Sequence, residues 1–198
     1  VDLNYKVTNI FPVSIHQFDV NGFDEIQSEL IDYAYGLKKK EPKGASISNY
    51  GGWQSTDFYI HNEDDVLHHF MINCLSGFPV IKESVNMKVD AWVNINKPGD
   101  YNTKHHHPNC NLAGVLWIKA PKECGVIEFE SPVEFQTYTE VDSYTEDFKN
   151  SNNYYHNYYF TPTEGRIIVF PSHLQHLVRK NKSNEDRISV SFNIRLSE

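Results

Sequence analysis

The spacing of hydrophobic residues changes character near residue 80. Before it, apolar positions recur at helical intervals. Phe23, Ile26, Leu30, Ala34 and Leu37 are three or four residues apart, which predicts a helix over 23–37 with one buried stripe. Asn21 is the expected N-cap, Asp24 and Glu25 occupy the first turn, and Lys38, Lys39 and Lys40 suit the C-terminal end before Pro42 stops it. A second helix is expected over 63–76, capped by Asn62, with Glu63, Asp64 and Asp65 in its first turn and an apolar stripe through Val66, Phe70 and Cys74. Gly77 ends it. Residues 3–20, with short apolar patches around Ile10-Phe11-Pro12, read as an edge strand with a turn, and 44–56 as turn-rich.

After Pro79 the period falls to two. Val89, Ala91, Val93 and Ile95 share one face of a strand over 87–96, with Asp90, Trp92, Asn94 and Asn96 on the other. Further strands are expected at 112–119, 125–130, 155–160, 166–170, 175–179 and 187–196. Many short strands after two helices predict a mainly β domain, a sandwich or jelly-roll with helices on one outer face. Residues 1–198 then form one domain, with 1–84 as helical support and 85–198 as the jelly-roll core. The polar stretch 137–155 is long for a connection and is expected to be a disordered insert or a lid. In the last strand Ile188, Val190, Phe192, Ile194 and Leu196 alternate with Arg187, Ser189, Ser191, Asn193 and Arg195. A polar face that lines a barrel is costly unless it binds something polar, because buried donors need partners.

Composition narrows the partners. With 22% charged and 39% hydrophobic residues, the 198-residue chain is globular. A formal net charge of -8 argues against nucleic acid, and the run Lys38-Lys39-Lys40 reads as a solvated helix end. Three cysteines, Cys74, Cys110 and Cys124, do not form a disulfide framework and fit a reducing compartment. The start VDLNYKVTNI has no signal-peptide pattern, and no apolar run is long enough to span a bilayer. The expectation is a cytoplasmic protein whose partner is a small molecule or a peptide, with no membrane partner, a homodimer being compatible.

The candidate chemistry lies in His105-His106-His107-Pro108. In an extended segment residues i and i+2 project to one side, so His105 and His107 can offer imidazoles to one ion while His106 points away. Imidazole suits Fe, Zn, Cu or Ni. A third ligand has to come from far along the chain, and His173 and His176 are the candidates. The bland alternative is a chance surface triplet. His68-His69 on the second helix reads as non-functional, and Cys110 and Cys124 as buried small hydrophobes. Trp53, Tyr154, Tyr155, Tyr158 and Tyr159 are expected exposed aromatics that line an entrance or serve as ordinary strand residues.

AWVNINKPGDYNTKHHHPNCNLAGVLWI, the later GVIEFESP and PTEGRIIVFPSHLQHLVRKNKSNEDRISVSFNI resemble the 2-oxoglutarate/Fe(II)-dependent oxygenases, in the branch of small, prolyl-hydroxylase-like oxygenases of bacteria and tailed phages. The similarity covers roughly 85–196. It implies a double-stranded β-helix in which His105 and the distal His176 ligate Fe(II), and Arg187, 11 residues beyond His176, pairs with the far carboxylate of 2-oxoglutarate. His173 leaves a gap of 14 and ranks second. Ser189 completes an Arg-x-Ser pattern on the same carboxylate. Asn96, nine residues before His105, falls where relatives carry a cofactor-binding Tyr. One departure stands out, because residue 107 is His where the family has an acidic ligand. Three neutral imidazoles leave the bound iron more positive and raise its redox potential. Asn109 or Asp100 are alternative oxygen ligands. The implied reaction consumes O2 and 2-oxoglutarate, releases succinate and CO2, and hydroxylates a C–H bond. The rivals are a three-His cupin-type metalloenzyme without 2-oxoglutarate, for which Arg187 and Ser189 have no purpose, and a non-catalytic jelly-roll binding module, which metal analysis separates.

Overall fold

The switch in hydrophobic period coincides with the passage from helices to sheets. The computed structural model describes residues 4–61, 65–82, 84–133 and 140–197. Its elements in chain order are β1 (His16–Asp19), α1 (Asp24–Lys40), β2 (Asn49–Tyr50), β3 (Trp53–Gln54), β4 (Phe58–Tyr59), α2 (Val66–Ser76), β5 (Asn86–Asn96), β6 (Tyr101–His105), β7 (Leu112–Lys119), β8 (Ile127–Glu130), α3 (Glu146–Asn152), β9 (Asn157–Phe160), β10 (Arg166–Pro171), β11 (His176–Val178) and β12 (Arg187–Ser197).

Two antiparallel sheets face each other as a jelly-roll. The larger runs β1-β10-β7-β12-β5-β3, with β4 also on β5, and the smaller runs β2-β6-β11-β8-β9. The helices cover the outer face of the larger sheet. There Leu30, Ala34, Leu67 and Met71, all without exposure, pack against Ala91, Val93, Val190, Phe192 and Ile194. Each large side chain so buried contributes about 1.5–3 kcal/mol of hydrophobic stabilisation. A second cluster fills the space between the sheets, where Ala113, Val115, Trp117, Ile168 and Phe170 meet Ile127 and Phe129. β12 is central, flanked by β5 and β7, so its even-numbered residues join the helix-packed core and its odd-numbered ones face the smaller sheet.

Several local expectations need correcting. Asn21 does not cap α1, whose N-cap residue is Phe23 and makes no side-chain cap hydrogen bond. The helix also runs on through the three lysines, which are good helix formers, and its last turn closes with Glu41 N–H on Leu37 C=O just before Pro42. Asp65 caps α2, its Oδ1 accepting from the backbone N–H of Leu67 and His68 at 3.0 and 3.2 Å. Asn62, Glu63 and Asp64 lie outside the described residues. The N-terminal third is more than helical support, since β1, β3 and β4 extend the larger sheet and β2 the smaller. Within 137–155, residues 137–139 lie outside the described residues. The rest is not an unstructured insert. It forms α3, with Thr145 as N-cap, Glu146 and Asp147 in the first turn, and Asn153 ending it in the left-handed region at φ 51°. Trp53 is buried and not exposed, its indole N–H donating to Glu41 C=O. Cys110 is half-buried, Cys124 is buried, and all three cysteines are free. Among the described residues no helix is long and apolar enough to cross a membrane.

Candidate active site

A turn places the first two histidines. Gly99, at φ 94°, lets the chain reverse between β5 and β6, and Asp100 closes the turn by accepting from Lys97 N–H. β6 then crosses into the smaller sheet and ends at His105, directly paired in register with His176 of β11. His107 follows past the strand end, its N–H donating to Ser172 C=O at 2.9 Å. The ring of His106 turns outward toward Gln175. His105, His107 and His176 thus converge, and one nitrogen of each lies within 4.8 Å of the other two. His173 is exposed and outside this group. Asp100 accepts from Lys97 N–H in its turn and is not in the histidine group, and Asn109 is exposed.

The hydrogen bonds decide which nitrogens converge. Nδ1 of His105 is 2.7 Å from Thr103 C=O, Nδ1 of His107 is 2.6 Å from Asn193 Oδ1, and Nδ1 of His176 is 2.9 Å from Leu174 C=O. All three partners only accept, so each Nδ1 carries the proton and each Nε2 carries a lone pair. Burial, reinforced by the neighbouring imidazoles, holds His176 down to about 3 and His107 down to about 4. Burial also lowers His105. The three rings are therefore neutral at neutral pH. Nε2 of His107 and Nε2 of His176 face each other at 3.3 Å. Two lone pairs at that distance repel unless a cation stands between them, and two nitrogens at right angles around a metal, each about 2.1 Å from it, sit about 3 Å apart. The donor set fits a divalent metal that accepts imidazole.

From the histidines a narrow cavity of about 50 Å³ runs between the sheets to Arg187. Its polar wall is the face shared by β5 and β12, with Asn94, Ser191, Ser189 and Arg187, and Asn94 Nδ2 donates to Ser191 Oγ. Ser48 and Asn102 add polar groups from the smaller sheet's side, while Trp92, Val115, Trp117, Ile127, Phe170 and Val178 supply the apolar wall. Arg187 is 2% exposed. Its Nη1 donates to the carbonyls of Cys124, Gly125 and Arg179. Burial lowers its pKa to about 10, which leaves it a cation at neutral pH. No described carboxylate forms an ion pair with it. The preceding turn is held by Asn181, whose Nδ2 donates to the carbonyls of Asn96 and Glu185.

Asn96 is not on the cavity wall. It closes β5 opposite Arg187, and its Nδ2 is buried against Gly52 without a hydrogen-bond partner. The amides that do line the cavity are Asn94, two residues earlier on the same face, and Asn102. Asn193 was legible as part of the polar face of the last strand, but not as the partner of His107. Ser48 had no signal, because it lies in a short turn-rich segment.

A family model described as "Putative 2OG-Fe(II) oxygenase" matches residues 90–193. Among proteins of curated function, none matches the chain in sequence. Solved structures share the fold. A prolyl-4-hydroxylase of Pseudomonas putida is 13% identical over 92% of each chain, with a TM-score of 0.60. The α-ketoglutarate-dependent carbocyclase SnoK of nogalamycin biosynthesis is 11% identical over 92% of this chain and 79% of its own, with a TM-score of 0.61. HygX of Streptomyces hygroscopicus, solved with nickel and 2-oxoglutarate, is 10% identical over 92% of this chain and 83% of its own, with a TM-score of 0.56.

Proposed function

The chain belongs to the 2OG-Fe(II) oxygenase family, and from that premise we propose that His105, His107 and His176 hold Fe(II) through Nε2 while Arg187 and Ser189 hold the far carboxylate of 2-oxoglutarate. The observation that carries this reading is one narrow cavity with three neutral acceptors at one end and, at the other, a buried guanidinium that no described carboxylate pairs with. With iron, 2-oxoglutarate and O2 bound, the centre supplies oxidative decarboxylation to succinate and CO2, coupled to hydroxylation of a C–H bond.

The protein's own contribution is orientation and exclusion of water. The Nδ1 anchors hold three Nε2 lone pairs toward one point, and the low proton affinity of the rings spares a metal from competing with protons. The guanidinium presents the donors left free by the three carbonyls to a carboxylate in desolvated surroundings, where charge-assisted bonds are strong. Trp92, Trp117 and Phe170 keep the walls between the two ends apolar.

A small molecule or a peptide is the substrate class this surface supports, since the net charge of -8 disfavours nucleic acid. Tyr158 and Tyr159, both exposed on β9, are available to such a substrate. Three free cysteines support a reducing, cytoplasmic setting. The test is spectroscopic and chemical. Anaerobic addition of Fe(II) and 2-oxoglutarate should produce the weak visible charge-transfer band of the chelate, and O2 should then release succinate. A protein that takes up iron but gives neither band nor succinate at saturating 2-oxoglutarate belongs instead with the three-His metalloenzymes that do not use this acid.

A further inference from the structure

His105 and His176 are oriented by main-chain carbonyls two residues upstream, Thr103 and Leu174. Side-chain identity at those positions is irrelevant to the bond. His107 differs. It lies beyond the end of β6, outside the strand ladder, and its ring is fixed by a side chain 86 residues away, Asn193 on β12. Trp92 stacks on the same ring with centroids 5.7 Å apart and planes 20° from parallel. A stack defines the plane of an imidazole but not its flip. Turning the ring half-way about its Cβ–Cγ bond keeps the stack but exchanges Nδ1 with Cδ2 and Nε2 with Cε1. The hydrogen bond to Asn193 distinguishes the two.

We infer that Asn193 is a positioning residue of the metal centre, because its Oδ1 fixes the flip and tautomer of His107 and so aims Nε2 at His105 and His176. This inference rests on the reading of the three histidines as metal ligands. It assigns a task to one member of the polar face of β12. The register also explains why an amide stands there instead of a carboxylate. Asn193 is directly opposite Asp90 on β5, and Asp90 is engaged by Arg195. An acid at 193 would face Asp90 as a like-charged cross-strand neighbour. The amide accepts from His107 without that repulsion and leaves residue 107 a neutral ligand.

The experiment compares wild type with Asn193→Leu, Asn193→Ala and Asn193→Asp. Co(II) serves as metal probe, with affinity by calorimetry and coordination by the visible ligand-field spectrum. Long-range ¹⁵N–¹H spectra of the metal-free proteins report each histidine's tautomer. Leu and Ala remove the acceptor. They should weaken Co(II) binding about 10- to 100-fold, alter the spectrum, and change His107 from a single Nδ1–H form to a mixture while His105 and His176 keep theirs. Asp retains the acceptor and should restore the Nδ1–H form and most of the affinity, at some loss of thermal stability. Because residue 193 is half-buried and lies on the cavity face, the variants should fold, and their melting curves check this. Leu and Ala variants that bind Co(II) as wild type does, with an unchanged His107 tautomer, would overturn the role of Asn193 alone. A wild type that binds no divalent metal would remove the metal centre itself, whatever the tautomers.

Discussion

The two ends of the cavity are finished in opposite senses. At one end three imidazoles offer only lone pairs, each already using its N–H on a protein acceptor. At the other a guanidinium offers only positive charge, with one nitrogen consumed by three carbonyls and no described carboxylate paired to the rest. Each would be costly if left incomplete, since buried acceptors and buried charges need partners. The contrast teaches what kind of ligand completes the site. A ligand cationic at the histidines and anionic at the arginine would complete both ends, and a metal chelated by a dicarboxylic acid is both.

The sharpest way to break the comparison is to remove one end. His176→Ala should abolish stoichiometric Fe(II), measured by metal analysis after anaerobic loading, because His176 is the most buried of the three. Full metal content in that variant would mean that the distal ligand is elsewhere. The opposite end should respond separately. Arg187→Ala should cost about 2–5 kcal/mol in 2-oxoglutarate binding by calorimetry while the metal stays in place. Lys at this position should recover only part, since it lacks the planar fork. Unchanged affinity in the Ala variant would detach the arginine from the cosubstrate. A smaller effect should come from the wall behind it. Gly125 sits at φ 93°, and an added Cβ would meet Arg179 C=O at 2.1 Å and Arg187 Nη1 at 3.0 Å. Gly125→Ala should lower stability by about 1–3 kcal/mol in urea melts and weaken 2-oxoglutarate binding, with metal content unaffected.

How far the sequence foretold this depends on the range of each interaction. α1 and β12 were legible because periodicity is local and their amphipathic stripes are long, and β7 because its apolar run is continuous and buried on both faces. β2, β3 and β4 are two residues each, too short to show alternation, and they exist only because β5 and β6 offer edges to pair with. The His-x-His spacing and the distal His176 were readable as ligand chemistry. The anchor of His107 was not, since a contact between residues 86 apart leaves no trace in spacing. Asn96 was misplaced for a related reason. Alternation puts Asn94 and Asn96 on one face equally, and only the tertiary closure over Gly52 separates the one on the cavity from the one behind it.

The alternation of β12 imposes a reading frame on the protein. Odd positions from 187 to 191 line the cavity, Asn193 meets His107, and even positions serve the helix-packed core, so inserting or deleting one residue inside the strand would exchange the two roles for everything beyond it. Isoleucine and phenylalanine would then be offered to the cavity, and serine and asparagine to the helices. A change of length outside the strand would leave this frame intact.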